Sequence, residues 1–157
     1  MPSPLSADLL LQQEADSRLA HFDFRQAWQL GLHMHTRAMA LSAPVALEVY
    51  AFGQVLFIAA LPGSSAENLE WIKRKRNSVL RCSHSSLYLE VINQQKGERM
   101  AAQPWINQAE YCDHGGAFPL LNESGCIIGA ASVSGLPSSE DHALALWAIQ
   151  QLQSAAS

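Results

Sequence analysis

A chain of 157 residues with 48% hydrophobic and 15% charged side chains has the size and composition of one globular domain, 1–157, that buries a core without staples. Its net charge of -4 gives no general attraction to phosphate backbones, so nucleic acid is not an expected partner. The three cysteines, Cys82, Cys112 and Cys126, lack C-x-x-C spacing, which argues against a disulfide framework or zinc knuckle and for reduced thiols in a cytoplasmic protein.

The N-terminal stretch has no basic n-region and no clean cleavage site, and it reads as no secretory signal. Ser6 is placed to cap a first helix over 7–20, with Leu10, Leu11, Ala15 and Leu19 as its apolar contacts, so that residues 1–22 form an N-terminal helical extension. Asp23 with Gln26 resembles a capping box and opens a helix over 24–41, which Pro44 stops. On that helix His33 and His35 lie about 200° apart and cannot share one metal ion. His35 falls with Trp28, Gly31, Leu32, Ala38 and Met39 on the side read as apolar, and His33 falls on the polar side.

Period-two alternation from Val45 to Ala51, a break at 52–54 and a second run at 55–60 predict a hairpin. The longest uncharged run, 49–66, contains Gly53, Pro62 and Gly63, so strand, turn and strand fit it better than a bilayer span. Glu48 is the one charge within these strands and needs solvent, an ionic partner or a task.

Ser64 with Glu67 predicts a capped helix to about Cys82, with Leu69, Ile72, Val79 and Leu80 inward. A second row on it carries Trp71, Arg74, Lys75 and Ser78. The run Lys73 to Arg76 with Arg81 holds half of all ten basic residues, a concentration that marks an anion site or a face for an acidic partner. Residues 83–91 read as a continuing helical piece, and 96–112 as a long loop with a short helix. Apolar segments at 117–121 and 126–133 flank Asn122-Glu123-Ser124-Gly125, a second hairpin, and Pro137 opens a terminal helix whose apolar row includes Ala143, Leu144, Trp147, Ala148 and Leu152.

No Walker loop, G-x-S-x-G, H-E-x-x-H or G-x-G-x-x-G pattern is present. The segment DHGGAFPL, 113–120, sets Asp113 and His114 against Gly115 and Gly116, where positive φ brings the backbone close to a neighbour or a ligand. Were it beside Ser134 and the helix opening near Ser138, His114, the two glycine amides, Ser134 and His142 would form one polar pocket.

The segments GGAFPL at 115–120 and GCIIGAASVSGLPSSEDHALA at 125–145 resemble the GlcG/HbpS-like family, known as haem-degrading domain proteins. With Pro44 to Phe57, Asn68, Trp71, Arg74, Lys75 and Ser85-Ser86, the resemblance covers roughly residues 24–150 and points to an uncharacterised branch. It implies an α+β, profilin-like fold, an antiparallel sheet flanked by helices in three layers, assembled as a homo-oligomer, with haem- or iron-related binding or haem degradation as its activity and haem as the cofactor to test. Ala130-Ala131-Ser132 departs from the family's usual glycine there. Two functions follow: a domain binding a tetrapyrrole or smaller carboxylate through Trp71, Arg74, Lys75, His114, Gly115, Gly116, Ser134 and His142, or a non-enzymatic scaffold docking an acidic partner on the helix around Trp71 to Arg76. A hydrolase using His114 with Asp113 or Glu48 ranks below both, because no nucleophile with an adjacent base is identifiable.

Overall fold

The computed structural model describes residues 5–155; Met1 to Pro4 of the stretch read for a signal, and the last two residues of the domain range, lie outside them. The elements run α1 (Ala7–Asp16), α2 (Phe24–Ala40), β1 (Ala46–Ala51), β2 (Gln54–Ala60), α3 (Ala66–Cys82), α4 (Ser86–Lys96), β3 (Ala117–Leu121), β4 (Ile127–Ser134) and α5 (Ser138–Ala155), with one 3-10 turn at Met100–Ala102. The four strands form one sheet in the order β2-β1-β4-β3, antiparallel throughout. Among the described residues five helices flank it, so the architecture is α+β.

Alternation along the strands divides the core between the two faces. Leu47, Val49, Phe57, Phe118, Leu120, Ala131 and Val133 pack toward α2 and α5 in the main cluster. Ala117 and Ala130 pack toward Val79 of α3 on the other face. Gly31 lets α2 settle on the sheet, because a Cβ there would run into the Phe57 ring. Among the described residues, no helix is long and apolar enough to cross a membrane.

Four local readings are corrected. The first helix ends at Asp16 instead of Ala20, because Leu19 leaves it to form a parallel bridge with Asn122, its N–H bonded to the Leu121 carbonyl at 2.8 Å. Its buried side is Leu10 and Glu14, whereas Leu11 is exposed. The α3 capping box is Ser65 with Asn68, one residue later than Ser64 with Glu67, and the Asn68 Oδ1 accepts the Ser65 N–H at 2.9 Å. Ser83, at φ 62°, terminates α3, and Ser85 caps a separate α4 that runs to Lys96.

The α2 faces are also redistributed. Ala27, Leu30, Gly31, Met34 and Ala38 face inward, while Trp28 and Met39, assigned to the apolar side, are 53% and 50% exposed and His35 is only half-buried like His33. The helix therefore carries a second apolar stripe, Phe24, Trp28, Leu32 and Met39, turned to solvent at helical spacing. It runs beside β2, an edge strand whose Val55 and Ile58 are also exposed.

Candidate functional site

The site lies where β4 gives way to Gly135-Leu136 and α5 begins. Packing of α3 across β4 brings Asn68, Trp71 and Lys75, at i, i+3 and i+7, to that edge of the sheet. The loop before β3 delivers His114 from the opposite side. Together with Ser134, Ser138 and Asp141 these residues line a half-open cleft of about 270 Å³.

Lys75 is its central charge. Its side chain is 5% exposed, and Nζ donates to Asp141 Oδ2 at 3.2 Å and to the Val133 carbonyl at 3.1 Å. An ammonium has three N–H bonds, so one remains for another acceptor. The Asp141 carboxylate also accepts the Gly135 and Leu136 N–H groups at 3.4 and 3.0 Å, tying the β4–α5 turn to α3. Burial nevertheless raises its pKa to about 6 against the opposing pull of Lys75 and these hydrogen bonds.

Gly116 sits at φ 138°, and a Cβ there would meet the Val133 carbonyl and come within 2.7 Å of Lys75 Nζ, so glycine is needed for the ammonium to reach its place. The Gly115 amide is not free for an anion, because it donates to Glu90 Oε1 at 2.9 Å. Asp113 is a structural anchor: its carboxylate accepts from Asn93, from the Arg99 guanidinium and from the Met100 N–H, at 2.9 to 3.1 Å. Those bonds hold its pKa below the ordinary value although burial opposes them. Asp113 thereby fixes the loop that presents His114, whose ring meets Trp71 edge-on at 5.2 Å. Burial, aided by Arg99, lowers the His114 pKa, so the ring is neutral near pH 7.

The basic run does not form a single outward face. Lys73 pairs with Glu110, Lys75 with Asp141 and Arg76 with Glu48. Arg74 alone in the run has no acid partner among the described residues; its guanidinium lies 4.3 Å over the Trp71 ring, and its buried Nε has no hydrogen-bond partner. Glu48 finds its ionic partner inside the α3 layer and does not line the cleft.

His142 does not line the cleft either. It is 1% exposed, its ring packs on Phe118, and Nε2 meets Gln13 Oε1 of α1 at 2.7 Å. Asp141 and Leu136 were not singled out from the sequence as site residues. An acid in the first turn of a helix reads as a dipole partner, and only its buried pairing with Lys75 distinguishes it. No three His, Cys, Asp or Glu side chains gather as a metal cage among the described residues.

The fold and the cleft define a three-layer α+β domain with a small polar pocket at the end of its sheet. The family model described as "Haem degrading protein HbpS-like" matches residues 22–150, and the chain belongs to that family. Among curated relatives it is 43% identical over 143 residues to a UPF0303 protein of Psychromonas ingrahamii, covering 91% of this chain and 90% of that one. It is 38% identical over 141 residues to a UPF0303 protein of Paraburkholderia phytofirmans, covering 90% and 86%. Among solved structures, the Ybr137w protein superposes with a TM-score of 0.85 at 28% identity over 95% of this chain and 90% of that chain. The PduOC:Heme complex gives a TM-score of 0.71 at 22% identity over 82% and 93%.

A tetrapyrrole is larger than the cleft. With about 40 non-hydrogen atoms, haem is of the size that calls for a pocket well above the lower end of ordinary ligand sites, roughly 300 Å³. The cleft of about 270 Å³ does not enclose it.

Proposed function

We propose that the cleft binds a small carboxylate-bearing molecule, with Lys75 as charge anchor, Arg74 reinforcing the field from beyond Trp71, and Trp71 and His114 as walls. The observation that carries this reading is the pairing of a buried lysine that keeps one N–H unused with a neighbouring arginine that has no acid partner. A charge-assisted hydrogen bond from the buried Lys75 ammonium is roughly twice as strong as a neutral one. Titration with benzoate, followed by tryptophan fluorescence, is expected to give saturable binding that Lys75→Met and Arg74→Gln each weaken at least tenfold. Unchanged affinity in both variants would remove the reading.

Haem is the second ligand to consider, supported by the family's description and by the haem complex of a structural neighbour. Such a ligand would enter by a propionate, and a haemin titration with His114→Ala separates it from the small-carboxylate reading. The scaffold reading has less support, because most of the basic run is neutralised by acids of the same chain.

The family domain, the free thiols of Cys82, Cys112 and Cys126, and the acidic balance support a single cytoplasmic domain. We also propose self-association through the exposed α2 stripe and the β2 edge, since contiguous exposed apolar side chains beside an unpaired strand favour burial against a second copy. Trp28→Glu is expected to lower the mass found by light scattering during gel filtration; an unchanged mass would place the contact elsewhere.

A further inference from the structure

A second cleft, of about 280 Å³, lies on the other side of Leu136, walled by Leu41, Ala143, Leu144 and Trp147. Leu136 lines both clefts, so the polar pocket and the apolar one adjoin at this half-buried residue. The two have opposite chemistry. The first contains the Lys75–Asp141 ion pair, whose ammonium keeps one N–H for another acceptor, with Asn68, Ser134 and His114, whereas the walls of the second are aliphatic and aromatic. Its two charges are Arg37, which lies 5.2 Å over the Trp147 ring, and Glu140.

We infer that the ligand is an amphipathic monocarboxylate, its carboxylate in the Lys75 cleft and its apolar chain crossing Leu136 into the groove beside Trp147. The inference rests on the carboxylate reading above and adds the class of molecule. Each methylene taken from water into the groove strengthens binding several-fold, so chain length becomes the main determinant of affinity once the head group is placed.

Each cleft has its own tryptophan, Trp71 in the first and Trp147 in the second, which makes the assignment testable with acetate and octanoate as probes. Emission is compared in Trp71→Phe and Trp147→Phe proteins. Acetate is expected to perturb only the signal that Trp71→Phe removes, whereas octanoate perturbs both and binds at least tenfold more tightly. Ala143→Trp, at an exposed helix position that tolerates a larger side chain, fills the groove and is expected to bring octanoate down to the affinity of acetate while leaving acetate unchanged.

Octanoate that binds no more tightly than acetate, with Trp147 silent and both probes lost in Lys75→Met, would overturn the amphipathic assignment while the carboxylate reading stands. Octanoate that reports only through Trp147 and ignores Lys75→Met would overturn the bridging of the two clefts. Indifference of both probes to Lys75→Met would overturn the carboxylate reading itself.

Discussion

Arg76→Ala is expected to destabilise the fold by about 3–5 kcal/mol, read as a lowered urea midpoint with an unchanged slope. Glu48 lies in β1, a central strand, with 2% of its surface exposed, and the Arg76 guanidinium grips it through two bonds, Nε to Oε1 at 2.9 Å and Nη2 to Oε2 at 3.2 Å. Removing the arginine leaves a buried carboxylate without its ionic partner. It also removes the guanidinium that lies 4.4 Å over the Tyr50 ring. Adding Glu48→Leu should recover most of the loss, because the cost is that of an orphaned charge and not of a missing attraction. If Arg76→Ala proved nearly neutral, Glu48 would have to be reaching solvent by a route the packing does not show.

This pair also shows where the sequence is readable and where it stops. Glu48 announces itself as a charge within an apolar alternation, and the need for a partner follows from desolvation alone. Which cation answers it depends on how α3 lies across the sheet, a tertiary fact with no local signature. The same boundary runs through the site. Trp71 and Lys75 share a helix row by spacing, and DHGG with Ser134 is recognisable as a place of close backbone approach. Their meeting requires the β3–β4 hairpin and α3 to converge on one end of the sheet.

Local readings faltered where two neighbouring residues compete for one role. Ser64 and Ser65 both suit an N-cap, and the register was settled by the Asn68 side chain reaching back to Ser65. On α2, apolar identity alone puts Trp28 and Met39 inside. The helix instead has two apolar stripes, and only one of them is covered by its own sheet.

Two adjacent residues of α5 should make stability respond to pH in opposite directions. His142 is neutral in the fold because burial lowers its pKa from 6.5 to about 4, with no charged partner to compensate. Between these values the unfolded chain takes up a proton that the folded chain refuses. Stability from this residue is complete above pH 6.5 and is lost as pH falls toward 4, by about 3 kcal/mol. Asp141 acts in reverse. Its pKa rises from 3.8 to about 6 on folding, so between pH 3.8 and 6 the folded state binds the extra proton, and acidification across that window adds stability of similar size. The wild-type protein should therefore change little between pH 6 and 4 on account of this pair. Asp141→Asn, which removes the gain, should lose about 2 kcal/mol over that interval, whereas His142→Gln, which keeps an N–H for Gln13 without titrating, should become more stable on acidification. Urea midpoints at pH 6.5, 5 and 4 measure both slopes. Parallel curves for the two variants would mean that neither group is as secluded from solvent as its surroundings indicate.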